Sequence, residues 1–257
     1  EQRTYHDTAS YFDFSPRDLA SDIRAVMAST LEKLGINVEM THHECAPSQH
    51  EIDIEYSDAL KIADNVMILK QAIKTVANSR DLYATFMPKP VVGINGSGMH
   101  THQSLFSEKG KNLFYDGKDK YKLSRLAYHF MGGQLKYIRE IAAVLCPTVN
   151  SYKRLVRGYE APVYICWGQR NRSALIRVPK YSEGREKSTR LELRCSDPSC
   201  NPYLAFAAML AAGLEGIEEE IEPPNPVEED VYGFDDRKLA KFYIKTLPAD
   251  LGEAIEE

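Results

Sequence analysis

The sequence predicts an α+β protein in which a largely antiparallel sheet is backed by helices. Segments with helical spacing of apolar residues and short strand-like segments follow one another without the regular alternation that a parallel sheet requires. The 257 residues are 43% hydrophobic and 27% charged, which is typical of a globular protein with a sizeable core. This length fits one large domain or two smaller ones.

Helix signals occur in four segments. Apolar residues recur at helical spacing over residues 18–34, 59–79 and 124–144, and Gly35 ends the first pattern. Asn201 is a capping residue followed by proline at the first helical position. It opens an alanine-rich helix to about Ile221, which two prolines then close.

Strand signals are shorter and lie between glycine and proline breaks. Residues 163–167 are apolar on both faces, as in a buried strand. Residues 147–162 form a long polar segment, which is typical of a binding loop or lid. The predicted strands cover residues 36–40, 84–87, 163–167, 174–178 and 190–195, and residues 91–106 are predicted to form two strands around a glycine turn at 95–98.

Composition argues against several classes of protein. A net charge of -5 and a pI of about 5.9 do not fit a nucleic-acid-binding protein with a basic surface. The longest apolar stretch, over residues 203–214, is shorter than the roughly 20 residues of a membrane span, and no signal peptide is visible. Five cysteines without a C-x-x-C pair predict reduced thiols in a cytoplasmic protein. The chain opens without Met and stops inside a helical pattern, so we expect a piece of a longer polypeptide.

The strand predicted over residues 190–195 has an acidic residue between two arginines. Because alternate residues of a strand share a face, Arg190, Glu192 and Arg194 lie together, opposite two leucines. Taken alone, the pattern favours a solvated face with surface ion pairs. The alternative is a carboxylate metal ligand flanked by two guanidinium groups that bind an anion.

Residues 49–56 carry a second face of acidic side chains that alternate with apolar ones; the acids are Glu51, Asp53 and Glu55. Like charges on one face repel unless a cation, an arginine or water compensates. An exposed antiparallel strand is the alternative interpretation. Upstream, His42, His43 and Cys45 suggest zinc, but their spacing matches no usual zinc signature.

A glycine turn and a series of arginines complete the polar motifs. The turn at 95–98 lets a ligand approach the backbone, and His100 and His102 follow it on one strand face; a hairpin with packed histidines is the alternative. Arginine forks hold carboxylates and phosphates, although scattered surface arginines are the default. The series is Arg154, Arg157, Arg170, Arg172, Arg177 and Arg194. Carboxylates, an imidazole and arginines together suit magnesium or manganese carrying nucleotide phosphates, as in phosphoryl transfer.

Six blocks of residues extend these motifs over nearly the whole chain. They are HHExAPxQHE at 42–51, KP at 89–90 with NGSGMH at 95–100, NSYKRL at 150–155 with GYEAP at 158–162, NRS at 171–173, RLELR at 190–194 and DPxxNPY at 197–203. In these blocks the chain resembles class I glutamine synthetase of bacteria and archaea. The resemblance implies that residues 1–257 form that family's catalytic domain, truncated at both ends and without the N-terminal β-grasp domain. The implied fold is a curved, largely antiparallel sheet backed by helices, the guanidino-kinase-like fold of the family.

The resemblance also implies roles for individual residues. One metal ion would be bound by Glu44 and Glu51, and the other by His100 and Glu192, with Mg²⁺ or Mn²⁺ as the ion. Glutamate would be held by Asn95, Gly96 and Arg154. Glu160 would lie on a flap and help to deprotonate ammonium, and Arg172 and Arg194 would contact substrate and the transferred phosphoryl group. The residues implied near ATP are His102, Ser104, Arg172, Arg177 and Lys187.

The activity implied by the resemblance is ATP-dependent ligation of ammonia to the γ-carboxylate of L-glutamate. The reaction would pass through γ-glutamyl phosphate and release glutamine, ADP and phosphate. Family members assemble into dodecamers with active sites between subunits, so we expect that this segment alone is inactive. The expected protein is a cytoplasmic homo-oligomer without nucleic-acid or membrane partners. The alternatives are a γ-glutamyl-polyamine-type ligase and a non-catalytic structural or regulatory relative.

Overall fold

The computed structural model describes residues 5–257 and divides into two compact units, Glu1–Ser97 and Gly98–Glu257, hereafter unit 1 and unit 2. Helices and strands occur in both units. The predicted α+β class is therefore confirmed. Over the described residues, every helix is too short or too polar to cross a lipid bilayer.

Unit 1 consists of two helices and a two-stranded antiparallel hairpin. Its elements are α1 (Ser21–Lys33), β1 (Val38–His43), β2 (His50–Ile54) and α2 (Ala59–Asn78). Met27 of α1 and Ile73, Val76 and Ala77 of α2 form its apolar core. The first strand runs to His43 rather than ending at residue 40 as predicted, because the hairpin ladder continues to the His43–His50 pair.

The sheet of unit 2 has five strands in the order β3-β6-β5-β4-β7. The strands are β3 (Thr101–Gln103), β4 (Tyr164–Gly168), β5 (Ala174–Arg177), β6 (Leu191–Leu193) and β7 (Lys245–Thr246). Every neighbouring pair is antiparallel except β4 and β5. The expectation of a largely antiparallel sheet is confirmed.

Six α-helices accompany this sheet. They are α3 (Arg125–Tyr137), α4 (Ala142–Leu145), α5 (Val149–Arg154), α6 (Pro202–Glu218), α7 (Asp236–Lys241) and α8 (Leu251–Glu256). Helices α3 and α6 approach so closely that a Cβ on Gly133 would lie 2.1 Å from the Ala212 carbonyl oxygen. The Asn201 side chain caps α6 by accepting from the Tyr203 and Leu204 amides, as the sequence predicts.

The core of unit 2 gathers side chains of α3, α6 and the inner strands. Trp167 of β4 is buried there, with the rings of Tyr121 and Tyr128 at edge-on angles to it. Its indole Nε1 donates to the Pro224 carbonyl oxygen at 2.6 Å. The one polar edge of this large side chain is therefore satisfied inside the core.

The structure differs from the sequence-based elements in several places. Residues 84–87 and 91–96 form no strand, since the Ser97 amide donates to Pro88 and the buried Lys89 ammonium to Ile94, which folds this segment on itself. The helix predicted over 124–144 divides into α3 and α4, because the Ala142 amide donates to the Arg139 carbonyl and tightens the chain into a turn. Within the predicted loop at 147–162, Thr148 and Ser151 cap each other and begin α5.

Candidate metal-binding groups

In unit 1 the hairpin brings Glu44, Glu51 and His42 together. Strand pairing sets His42 opposite Glu51, and Glu44 follows where β1 ends. The His42 Nε2 atom lies 3.3 Å from Glu44 Oε1 and 3.6 Å from Glu51 Oε2. One ligand atom from each of the three residues lies within 4.8 Å of the other two. The two carboxylates that the sequence predicts as partners are therefore neighbours, and an imidazole joins them.

The electrostatics of this group are unfavourable without a cation. Partial burial, a hydrogen bond with Glu44 and the negative charge of Asp53 together raise the pKa of Glu51 to about 9. Two carboxylates this close resist ionising together unless a positive charge lies between them. Carboxylate oxygens with one imidazole are a donor set that suits a divalent cation.

The turn at residues 44–49, hereafter the carboxylate turn, is held by its own hydrogen bonds. The Glu44 amide donates to the Gln49 carbonyl at 2.7 Å, and Glu44 Oε2 accepts from the Cys45 amide at 2.8 Å. The Gln49 side-chain amide donates to the Gly96 carbonyl at 2.8 Å and to Ser97 Oγ at 3.1 Å. Sequence reasoning assigned no role to Gln49, although it lies in the first motif. Gln49 ties this turn to the predicted glutamate-binding pair Asn95-Gly96.

A second cluster of ligand-type side chains in unit 1, Asp7, His43 and His50, is a closed polar network. His43 Nδ1 lies 2.6 Å from the Glu44 carbonyl oxygen and Nε2 lies 2.8 Å from Asp7 Oδ1, so both ring nitrogens are engaged. His50 Nδ1 accepts from the Arg24 guanidinium at 2.9 Å. Burial, followed by the charges of Arg24 and His43, lowers the pKa of His50 to about 4. A guanidinium at this distance disfavours a metal cation, and the separation of His42 from this cluster also argues against a zinc site.

In unit 2 the buried carboxylate of Glu192 is the centre of the predicted site. Pairing of β3 with β6 sets Glu192 opposite His102. Only 3% of Glu192 is exposed, so the solvated-face interpretation is wrong. Its Oε1 atom lies 3.4 Å from His100 Nδ1 and 3.4 Å from Arg194 Nε, and Oε2 accepts from Arg177 Nε. The predicted metal ligands His100 and Glu192 are therefore adjacent.

Desolvation and the neighbouring guanidinium groups both favour the neutral form of the His100 ring, which is the form that binds metal ions. Desolvation, followed by the guanidinium charges of Arg194 and Arg154, lowers the pKa of His100 well below its usual range. Gly98 permits this crowding, because a Cβ there would lie 2.3 Å from Arg154 Nη2 and 2.9 Å from His100 Nε2. The predicted turn glycine is thus required by close approach rather than by its backbone angles.

The buried arginines of unit 2 are held by backbone carbonyl groups. Arg154 donates to the carbonyl oxygens of Arg194 at 3.0 Å and Cys195 at 2.6 Å. Arg194 in turn donates to the carbonyl oxygen of Arg172. Two guanidinium groups, those of Arg177 and Arg194, contact the single carboxylate of Glu192, so the local charge is positive and suits an anion.

The remaining predicted residues are placed as follows. His102 is exposed on β3, and its Nδ1 accepts from Arg190 at 3.0 Å. Ser104 is half-buried just after β3. Glu160, Arg172 and Lys187 have exposed side chains, and Glu160 adopts a left-handed backbone with φ of 58°. Arg172 follows Asn171, whose buried side chain folds the loop by accepting from the Ser173 amide at 2.9 Å.

Lys187 lies in a 3-10 turn, Glu186–Ser188. A side chain from outside the sequence motifs binds the backbone of this turn. The Asn112 side-chain amide donates to the carbonyl oxygens of Glu186, Lys187 and Thr189 at 3.1, 3.1 and 2.7 Å. Asn112 is 3% exposed and lies 75 positions before Lys187. No local sequence signal distinguishes it from a surface asparagine.

Comparison with known proteins places these groups in a family context. The family model for the glutamine synthetase catalytic domain matches residues 1–257. The glutamine synthetase of Halobacterium salinarum is 54% identical over 252 residues, which are 98% of this chain and 55% of that protein. The glutamine synthetase of Thermotoga maritima is 55% identical over 251 residues, 98% of this chain and 56% of that protein. The chain thus spans about half the length of the curated relatives it matches.

Solved structures show the same fold. The chain matches Plasmodium falciparum glutamine synthetase, determined by cryo-electron microscopy, with a TM-score of 0.86 at 31% identity, over 96% of this chain and 54% of that one. It matches a GmaS/ADP complex with a TM-score of 0.87 at 36% identity, over 98% of this chain and 57% of that one. The fold expected from the sequence is confirmed by both matches.

Proposed function

The chain belongs to the glutamine synthetase family as its catalytic domain, and from this premise we propose that the protein uses ATP to ligate ammonia to the γ-carboxylate of L-glutamate. The products would be glutamine, ADP and phosphate. The observation that carries the proposal is Glu192, a buried carboxylate that lies beside the His100 imidazole and contacts the guanidinium groups of Arg177 and Arg194. A surface ion pair would have no need of such burial.

Each unit contributes one group that would hold a divalent cation, either Mg²⁺ or Mn²⁺. Glu44 and Glu51 would hold it in unit 1, where the raised pKa of Glu51 supports a cation between the carboxylates. His100 and Glu192 would hold it in unit 2, where the depressed pKa of His100 favours the coordinating form. Bound cations would offset the charge of nucleotide phosphates and polarise the transferred phosphoryl group.

The chain's own residues would bind and orient the substrates. Arg194 and Arg177 lie beside Glu192 and would neutralise the charge of a phosphoryl group transferred to glutamate. Arg154, whose guanidinium lies against Gly98, would bind the glutamate carboxylate. The exposed Glu160 would take a proton from ammonium, so that ammonia attacks the γ-glutamyl phosphate carbonyl and phosphate leaves.

The remaining proposed roles concern the nucleotide and the nitrogen donor. His102, Ser104, Arg172 and Lys187 would contact ATP, and Asn95-Gly96 the glutamate. The structural similarity to GmaS bound to ADP supports a nucleotide site. We also propose a cytoplasmic location and self-association, with a dodecamer as the expected assembly. A ligase that uses an amine in place of ammonia is the alternative within the same fold.

The test is ADP release by the intact protein with L-glutamate and either ammonia or putrescine. We expect ammonia to be the effective donor, and we expect Glu192→Gln to reduce the ammonia-dependent rate about 100-fold or more, the scale of removing one charge-stabilising group. Glu219→Gln is the matched control, since Glu219 lies on the surface in an ion pair with Lys136. Full activity of Glu192→Gln would refute the proposal, and a preference for putrescine would favour the alternative ligase.

A further inference from the structure

We propose that Asp7 is a positioning residue that fixes the carboxylate turn, and with it the separation of the metal ligands Glu44 and Glu51. The inference rests on the proposed function, because it concerns the metal group of unit 1. Asp7 lies outside every motif of the sequence and 36 residues before the histidine that it contacts.

Asp7 is connected to the carboxylate turn by several hydrogen bonds. Its carboxylate Oδ1 accepts from the Ser48 amide at 3.0 Å, and its backbone amide and carbonyl both bond the Ser48 hydroxyl, at 3.0 and 3.2 Å. Its Oδ2 accepts from the Leu19 amide at 3.2 Å. The side chains of Asp7 and His43 are both 0% exposed, so water does not compete for these bonds.

His43 transmits this anchor to Glu44. A carbonyl oxygen only accepts, so His43 Nδ1 donates to the Glu44 carbonyl at 2.6 Å. The opposite nitrogen contacts Asp7 Oδ1 at 2.8 Å. The imidazole is therefore a rigid strut between Asp7 and the backbone of Glu44, and Ser48 is the second connection near the other end of the turn.

His42, which lies beside both metal ligands, is also contacted by the same N-terminal segment. The Phe12 ring stacks on the His42 ring with centroids 4.4 Å apart and an interplanar angle of 14°. The Phe12 amide donates to the His43 carbonyl oxygen at 3.0 Å. Residues 7–12 thus contact His42 and His43 directly and reach Glu44 through His43.

The strength of such an anchor is measurable as metal affinity. Replacing a hydrogen-bond partner behind a metal ligand weakens metal binding by about 10- to 100-fold. Asp7→Asn retains the shape of the side chain but turns one acceptor into a donor, which faces either the Leu19 amide or the pair of donors at Oδ1. If the new amide nitrogen faces Oδ1's partners, the strut and the Ser48 connection cannot both persist, and if it faces the Leu19 amide, the bond that anchors Asp7 to Leu19 is lost.

The experiment is a Mn²⁺ titration of the full chain followed by electron paramagnetic resonance, which counts free Mn²⁺. The binding class that Glu51→Gln removes identifies the metal group of unit 1. We expect Asp7→Asn to raise the Kd for Mn²⁺ at the metal group of unit 1 at least tenfold. The Kd of the binding class that Glu192→Gln removes should stay unchanged. Asp13→Asn is the matched control, because Asp13 binds the Ser10 amide of the same segment without touching the turn.

The outcomes separate the inference from the proposed function. A wild-type Kd in folded Asp7→Asn overturns the inference and leaves the metal group standing. Mn²⁺ binding that is insensitive to Glu51→Gln overturns the proposed metal group, and the inference with it. Circular dichroism establishes that each variant is folded, and if Asp7→Asn is unfolded, Ser48→Ala decides instead. Removal of the hydroxyl breaks two of the connections, and an unchanged Kd in Ser48→Ala overturns the inference.

Discussion

The buried ion pair between Asp18 and Arg24 gives the sharpest stability prediction for unit 1. The guanidinium binds both carboxylate oxygens, at 2.5 and 3.0 Å, with side chains that are 1% and 8% exposed for Asp18 and Arg24. Asp18→Asn leaves the Arg24 charge buried with only neutral acceptors, namely the remaining side-chain oxygen at position 18 and His50. Breaking a buried pair from one side destabilises a protein by about 3–5 kcal/mol. That is a large part of the roughly 5–15 kcal/mol that stabilises a typical domain.

The assay is urea denaturation at pH 7 followed by far-ultraviolet circular dichroism. At typical urea sensitivities, this loss lowers the midpoint of unit 1 by at least about 1 M. The control is Asp22→Asn, an exposed aspartate in the first turn of the same helix, for which we expect no more than about 1 kcal/mol. In Asp18→Asn combined with Arg24→Met no unpaired charge remains, so the double variant should recover much of the lost stability.

The pH dependence gives an independent check of the same reasoning. Burial alone would raise the pKa of Asp18, but hydrogen bonds from Arg24 and the Ala20 amide hold it below its ordinary value of 3.8. The stabilisation by the pair is therefore complete above pH 3.8 and disappears as the pH falls through the lower pKa of the folded state. The difference between wild type and Asp18→Asn should shrink in acid. A loss below 1 kcal/mol at pH 7, or a double variant no more stable than Asp18→Asn, would refute this account.

Three further predictions concern unit 2. Gly98→Ala forces a methyl group against the guanidinium of Arg154, which its carbonyl bonds prevent from moving; we expect about 1–3 kcal/mol of destabilisation by urea denaturation and weaker L-glutamate binding by calorimetry. Asn112→Leu leaves the buried Thr189 carbonyl unpaired, so hydrogen exchange over residues 186–189 should accelerate and ADP should bind more weakly. Asn201→Ala removes the cap of α6 and should lower the free energy of unfolding by about 1 kcal/mol without altering Mn²⁺ affinity. Unchanged hydrogen exchange in Asn112→Leu would contradict the role of the Asn112 hydrogen bonds. An unchanged free energy of unfolding in Gly98→Ala would contradict the close packing at Gly98.

Much of the fold could be predicted because its signals are local. The cap at Asn201, the break at Gly35 and the apolar strand near Trp167 depend on neighbouring residues, and each prediction agrees with the structure to within a few residues. The strand predicted over residues 91–96 is wrong because strand formation depends on a partner that lies elsewhere in the chain. Apolar residues there satisfy a strand pattern, but a strand needs a ladder partner, and the backbone instead folds onto Pro88.

The residues of the candidate site also differ in whether the sequence could predict them. The resemblance to the family implies Glu44, Glu51, His100 and Glu192 as ligands, and the structure brings them together as two neighbouring pairs within their units. The residues that position these side chains could not be predicted from the sequence. Asp7 meets His43 across 36 positions and Asn112 meets Lys187 across 75, distances at which neither periodicity nor spacing carries information.

The edge-on aromatic setting of Trp167 makes this side chain a built-in optical reporter. It is the single tryptophan of the sequence, and its indole is shielded in the core of unit 2. Selective excitation of tryptophan therefore reports on unit 2 alone. The emission maximum moves to longer wavelength once solvent reaches the indole ring. Fluorescence follows the melting of unit 2 by itself, whereas dichroism averages both halves, so the two signals together show which half a substitution loosens.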